Sequence, residues 1–502
     1  MNDLLPFLNG QLNQVFEGIK FFIPEICLSV LFIVVLVTDL LFGKTSGWLC
    51  RITACIGLVL VIFKDLEQFK LIQAEPHLLF SQMLLLHHTS LIFKLIIDIL
   101  SIVLILYFEW DDDLQAHPKG LSDLYSIAIA TIFGMHLMVM SVNLLSIYLS
   151  IEIVSIASYL MVAYRAGNGL SSEAGLKYVL FGASSSAIML YGISLLYGFS
   201  GSLNLFGGNL LPGLMQVNPI AVSLALVLFL AGIGFKLSFV PMHFWVPDIY
   251  QGAPSPVSAF LSSVTKIAAF GLLINFLAPF IPSTPATSPA WTAFDFRLFL
   301  SVVGVITMIA GNFAATLQNN LKRMLAYSSI GHTGFALMAI VTFTEQGMSA
   351  LIFYLLAYAL ANIGAWMLAS YFENNAEAKD ISDFKGLGFK YPLAGVCFVV
   401  ILISLTGLPV TAGFYGKFLA FSSVYAVYQQ NHDIWLLLLM ITGAITTVVS
   451  LFYYIKVPLN LFLRKTERTT GFSSSNPFLL ISIAIISLLI VFLGLFPDIL
   501  VK

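Results

Sequence analysis

Apolar residues fill long stretches of this chain, and polar residues collect in the short intervals between them. A helix that crosses a bilayer needs about 20 consecutive apolar residues. Fourteen stretches meet that need: 21–42, 47–63, 84–108, 122–142, 144–164, 174–199, 217–240, 255–280, 297–317, 323–343, 347–371, 392–428, 434–457 and 477–498. The twelfth is too long for one straight crossing and is interrupted at its middle by Gly407, Pro409 and Gly413.

Composition agrees with this map. Of the 502 residues, 59% are hydrophobic and 10% are charged, against about 25% charged in a soluble domain. The expected fold is an all-α polytopic membrane protein of about 14 transmembrane helices in a lipid bilayer. Basic residues collect in cytoplasmic loops. Loops after odd-numbered spans hold Lys44, Arg51, Lys119, Arg165, Lys177, Lys322, Arg323, Lys379, Lys385, Lys390, Lys456, Arg464, Lys465 and Arg468. The other side holds Lys20, Lys64, Lys70, Arg297 and Lys502, which is fourteen against five. The partition places both termini outside the cytoplasm. No basic region followed by a short apolar core and cleavage site opens the chain, so the first span is expected to insert uncleaved.

The net charge of −2 argues against nucleic acid as a partner, since that needs a basic face. Cys27, Cys50, Cys55 and Cys397 are scattered, with no spacing for a metal or cluster. No glycine fingerprint for a nucleotide is present. No cofactor is expected in this chain.

Four basic residues are left over from that partition, Lys94, Lys236, Lys266 and Lys417, all inside spans, and among the acids Asp98 and Glu152 lie well inside one. A charge at membrane depth costs at least about 2.5–3.5 kcal/mol and usually faces a cavity or a partner. Lys94 and Asp98 stand four apart on one helix face, a spacing that lets them satisfy each other, and Lys94 can also reach the outer interface. Glu152 is mid-span with no basic neighbour in sequence, so its partner must come from another helix. Lys236 lies between Gly232, Gly234 and Pro241, where proline should break the helix. Such breaks at membrane depth are tolerated only inside protein or beside water. Lys417 accompanies the second break. Paired broken helices in corresponding halves point to an inverted-repeat transporter. The expected organisation is helices 1–3 over 1–121, a first five-helix repeat over 122–280 (spans 4–8), a second over 297–460 (spans 9–13), and a last helix over 477–502. Lys266 follows Lys236 by thirty residues, across a loop, so the two can share a cavity.

His243, after the first break, and His332, in YSSIGHTGF, are further candidates for a relay; His136 is a weaker one. Ser184, Ser185, Ser186, Thr265 and Thr411 can organise water or serve helix packing. The chemistry suits protons. A carboxylate about 7 Å from an ammonium contributes roughly 2–2.5 kcal/mol at an effective dielectric near 20, and moving a charge across about 150 mV costs roughly 3.5 kcal/mol. Switching of the Glu152–Lys236 pair is therefore of the right size to load and release a proton, with Lys266 and Lys417 carrying it onward. Metal cations want oxygen ligands, and a lysine-rich set repels them.

Five segments, FFIPEICLSVLFIVVLVTDLL, GFKLSFVPMHFWVPDIYQGAPSPVSAFLSSVTK, NLKRMLAYSSIGHTGF, KDISDFKGLGFKYP and SLTGLPVTAGFYGKF, together resemble the antiporter-like membrane subunits of NADH-quinone oxidoreductase (complex I), the N-type in particular. The likeness runs over roughly 20–460 and departs at Gln251, where an acid is common, and at Phe414–Tyr415. It implies that Glu152 matches the family's helix 5 glutamate, Lys236 and Lys266 the lysines of helices 7 and 8, and Lys417 that of helix 12. It also implies proton translocation as part of a translocase in a bacterial inner membrane, beside other membrane subunits including further antiporter-like ones. NADH, FMN, iron–sulfur clusters and quinone would belong to partner subunits. The alternative is a subunit of a multisubunit cation/proton antiporter, against which the PDIYQGAP run stands. A scaffold without a proton path is a second alternative.

Overall fold

The computed structural model describes residues 15–42, 47–72, 76–115, 117, 120–165, 167–207, 209–281, 291, 293–464 and 476–499. Lys44, Lys119, Lys465, Arg468 and Lys502 of the loop partition lie outside them.

Helices dominate. In chain order the long ones are α1 (Ile23–Phe42), α2 (Gly47–Leu71), α3 (His88–Glu109), α4 (Ser122–Met140), α5 (Leu144–Val162), α6 (Gly169–Ser200) and α7 (Pro219–Leu237). The short α8 (Val246–Gly252) and α9 (Ser255–Ser262) lead into α10 (Val264–Leu277). Then come α11 (Phe296–Thr316), α12 (Leu321–Ile340), α13 (Glu345–Ala376), α14 (Pro392–Thr406), α15 (Ala412–Asn431), α16 (Ile434–Tyr454) and α17 (Pro477–Leu495). Eleven helices among the described residues are long and apolar enough to cross a membrane. Each of the fourteen predicted spans coincides with helix; the three outside that set are 47–63, 323–343 and the interrupted 392–428.

Many of these helices start where a polar side chain caps them. The Asn143, Asn168, Asn218, Asp295, Asn320, Thr344, Asp433 and Asn476 side chains each accept a hydrogen bond from a backbone N–H of the first turn. Each such cap contributes about 1 kcal/mol, and together they punctuate a chain whose apolar runs alone would leave boundaries open.

Burial separates centre from rim. In its most apolar 18 residues Ser255–Phe280 is 94% buried and Glu345–Ala376 83%, whereas the corresponding parts of Ile23–Phe42 and Pro477–Leu495 are 22% and 28% buried. The central two therefore line the interior, and α1 and α17 turn apolar faces outward. Helix α11 packs on α12 and α16. A Cβ at Gly311 would come 2.8 Å from the Gly331 Cα, so only glycine permits that approach.

Residues 84–86 correct the third span. They pair antiparallel with 77–79 as β2 (Leu84–Leu86) and β1 (His77–Leu79), and helix begins only at His88. A run of leucines reads alike in a short strand and in a helix end.

Three interruptions shape the interior. Helix α7 ends at Leu237, Ser238 takes φ +58°, and Pro241 lies in the turn before α8. The second is at 407–411, where Gly407 has φ +86° and Val410 φ +75°. The third separates α9 from α10 at Ser263, with φ −116° and ψ −80°.

Candidate functional site

Glu152, Lys236, Lys266 and Lys417 sit on α5, α7, α10 and α15 respectively. The three lysines are 2–5% exposed, which places them inside the protein.

Lys236 stands in the last turn of α7, one residue before the first interruption. Its ammonium lies 5.9 Å from the centre of the Tyr178 ring, and Nζ has no hydrogen-bond partner among the described residues. Tyr178 stacks on Trp245 at 4.8 Å, and Phe235 packs on the same indole at 4.9 Å. The interruption thus folds back to build an aromatic wall beside the lysine. Glu152 is half-buried, and its Oε1 is buried without a hydrogen-bond partner among the described residues. No ion pair joins it to Lys236.

Lys266 is held differently. Its Nζ donates to the Ser329 carbonyl at 2.8 Å, to Ser329 Oγ at 2.7 Å and to Thr333 Oγ1 at 3.0 Å. An ammonium has three donors, and three oxygens receive them. Thr333 Oγ1 in turn donates to the Leu237 carbonyl at 2.8 Å. That carbonyl belongs to the end of α7, where the helix can no longer use it. The link ties Lys266 to the main chain next to Lys236, while the Lys236 ammonium itself takes no part in it.

From Ser329 the network continues. Tyr358 donates to Ser329 Oγ at 2.8 Å, and the Tyr358 ring lies 4.7 Å from that of His332. His332 Nδ1 is 2.7 Å from the Tyr354 hydroxyl and Nε2 is 3.2 Å from the Tyr454 hydroxyl. Lys417 donates to the Thr406 carbonyl at 2.8 Å, and its ammonium stands 4.4 Å over the Phe335 ring. The groups form hydrogen-bonded segments, joined by ring contacts at Tyr358–His332 and near Phe335.

The structure brings Lys266 and His332 into this sequence, sets Lys417 beside it over Phe335, and leaves the Lys236 ammonium outside it. His243 stays half-buried in the first interruption, its ring 4.4 Å from Phe244, and among the described residues no hydrogen bond ties it to the lysines. The hydroxyls of Ser184, Thr265 and Thr411 turn to nearby carbonyls of their own segments, and Ser185 to the Ala231 carbonyl.

Lys94 and Asp98 overturn the expected local pair. Lys94 Nζ lies 2.7 Å from Glu25 Oε1 and 2.7 Å from Asp65 Oδ1, while Asp98 meets His136 at 3.0 Å. Lys94 is fully buried and reaches no interface. Two side chains on one helix face can each find a better partner on a facing helix.

Sequence reasoning missed Tyr354, Tyr358, Tyr454, Ser329 and Thr333. A signal existed, since Tyr354 and Tyr358, and likewise Ser329 and Thr333, stand four apart and share a face.

At the polar rim Asp248 accepts from Lys177 at 2.8 Å and from Arg323 at 2.8 Å; Arg323 also donates to Gln251 at 2.9 Å. Gln251, the departure from the family pattern, thus shares the guanidinium with Asp248.

Residues 141–450 match the NADH:quinone oxidoreductase/Mrp antiporter transmembrane family. The chain is 39% identical over 465 residues to NADH-quinone oxidoreductase subunit N 2 of Chloroherpeton thalassium, covering 91% of this chain and 89% of that protein. A chain of respiratory complex I from Thermus thermophilus with bound aureothin matches with a TM-score of 0.77 at 29% identity, over 95% of this chain and 98% of that one. A chain of the Mrp complex from Dietzia sp. DQ12-45-1b shares the fold, with a TM-score of 0.77 at 17% identity over 96% of both.

Proposed function

The chain belongs to the NADH:quinone oxidoreductase/Mrp antiporter family, and on that premise we propose that it is the N-type proton-translocating membrane subunit of an NADH-quinone oxidoreductase. It is a multi-pass membrane protein and works within a multisubunit membrane complex. Electron transfer from NADH to quinone takes place in partner subunits, which hold FMN and the iron–sulfur clusters. This chain contributes the proton path. We place it in a bacterial inner membrane, with both termini on the periplasmic side from the loop charge partition, and assign its two five-helix units to 122–280 and 297–460.

One observation carries the reading. Lys266 is held at membrane depth by Ser329 and Thr333, and Thr333 bonds the freed carbonyl of Leu237 beside Lys236. In the proposed cycle Glu152 alternately attracts and releases Lys236. The freed lysine passes its proton towards Lys266, and the tyrosine–His332 segment leads it to Lys417. Each ammonium rests on carbonyls, hydroxyls or aromatic faces, so its charge can be gained or lost without breaking a carboxylate pair. Lys236 has the least support from the protein and is the natural gate.

Replacing Glu152 or Lys236 by alanine in the reconstituted complex tests this. Proton pumping should fall while the complex still assembles and oxidises NADH. Normal proton-to-electron ratios in both variants would reject the assignment. A Lys236→Ala complex that pumps normally but assembles poorly would favour a scaffold.

A further inference from the structure

A second set of buried ionisable groups lies outside the lysine chain. Glu25 stands on α1, Asp65 on α2, Lys94 and Asp98 on α3, and His136 on α4, all fully buried. The Lys94 ammonium touches Glu25 and Asp65 at 2.7 Å each and donates to Gln68 at 3.0 Å. His136 bridges two acids, with Nδ1 3.1 Å from Glu25 Oε1 and Nε2 3.0 Å from Asp98 Oδ1. Glu25 Oε2, Asp65 Oδ2 and Asp98 Oδ2 are buried without a hydrogen-bond partner among the described residues.

Two counts point the same way. The cluster has three carboxyls and one ammonium, an excess of acid in a place with no solvent. Buried carboxylates without partners are costly, and taking up a proton relieves the cost. The second count concerns the bridge. A neutral imidazole has one donor and one acceptor nitrogen, so it cannot serve two carboxylates at once. One of its two contacts must contain a further proton, on the ring or on a carboxyl.

We propose that Glu25, Asp65, Lys94, Asp98 and His136 form a buried proton-binding site, with at least one proton beyond that of Lys94 held on the Glu25–His136–Asp98 bridge. The ligand is a proton and no metal ion, because the Lys94 ammonium already occupies the position between Glu25 and Asp65. Other charged groups on the surrounding helices are turned elsewhere. Lys64 pairs with Glu67 at 2.8 Å, and Arg51 with Glu109 at 2.8 Å. On α10, which packs on α3 and α4, Lys266 faces Ser329, and Asn275 donates to the Val139 carbonyl. Glu152 on α5 makes no ion pair with the cluster among the described residues. The site ties the first three helices to α4, and among the described residues no hydrogen bond or ion pair joins it to Lys236, Lys266 or Lys417.

Infrared spectroscopy of the intact complex at neutral pH tests the proposal, with Asp98→Asn, Glu25→Gln and Asp65→Asn as isosteric variants. Asp98→Asn is expected to remove one proton-bearing band, either a carboxylic C=O stretch or an imidazolium mode, that His136→Gln also removes. If the acid variants lose only ionised-carboxylate bands and His136→Gln removes no imidazolium mode, the bridge holds no further proton and the proposal is overturned. Failure of all three to assemble overturns it as well, because a site with excess acid tolerates the loss of one. Neither readout involves pumping, so a failure of the lysine path remains a separate result.

Discussion

Lys417, five residues into the second half of the interrupted helix, donates to the carbonyl of Thr406, the last residue of the first half, at 2.8 Å. The ammonium thus sits where the first half-helix presents its unbonded carbonyls and the negative end of its dipole, a position that favours a cation.

Gly407 makes that seat possible. It has φ +86°, and a Cβ there would lie 2.7 Å from Lys417 Cδ. Gly407→Ala should cost about 1–2 kcal/mol from the left-handed backbone alone and displace the lysine as well. The expected outcome is a lower unfolding temperature with a several-fold drop in proton flux, read by calorimetry and by pumping in proteoliposomes. Unchanged flux in a destabilised but assembled variant would show that the seat is structural only.

Thr333→Val keeps shape and removes the link between Leu237 and Lys266. A buried carbonyl left without its donor costs about 1–3 kcal/mol. Assembly and NADH oxidation should survive, while the proton-to-electron ratio falls. A normal ratio would exclude Thr333 from the path.

Asp248 should behave as a latch at the polar rim. Burial raises its carboxyl, but hydrogen bonds from Lys177 and Arg323 outweigh that and hold it below the usual carboxylate range. Its contribution is therefore present above the ordinary carboxyl value and lost as pH falls through the depressed one. All three groups are partly exposed, so Asp248→Asn should cost no more than about 1 kcal/mol. Added salt should lower the wild-type unfolding temperature towards that of the variant; an equal response in both would dismiss the latch.

His87, between β2 and α3, is pushed down to about 4 by burial. The folded chain keeps this ring neutral, whereas the unfolded chain binds a proton near pH 6.5. Stability should thus decline as pH falls from about 6.5 towards 4 and level off below. Thermal inactivation followed across that range should be steeper in wild type than in His87→Gln, and matching slopes would remove His87 as the cause.

The fold was largely legible because bilayer crossing demands apolar length, and the lysine set because charge at that depth is costly. Gly407, Pro409 and Pro241 marked two of the three interruptions. The third, at Ser263, carries neither glycine nor proline. There Ser262 bonds the Ser258 carbonyl and Ser263 the Ala259 carbonyl, a local competition with helix bonding that any serine can enter or decline. Glu25 and Asp65 escaped notice because one lies near the start of a predicted span and the other two residues past the end of the next, where acids ordinarily face headgroups. Helix α2 in fact runs to Leu71, which carries Asp65 inside. The Lys94–Asp98 spacing misled because periodicity names a face and says nothing of what stands opposite.

Lys417 and Lys266 share a kind of ligand that belongs to no particular amino acid. Thr406 and Ser329 serve through their main-chain oxygens, and Leu237 does so through Thr333. Exchanging the Thr406 or Leu237 side chain leaves its carbonyl in place, so alanine scanning would miss those two ligands, and at Ser329 it would remove the hydroxyl ligand and leave the carbonyl. Substituting an ester for the peptide unit, which weakens a carbonyl as an acceptor without altering the sequence around it, is the perturbation to which they would answer.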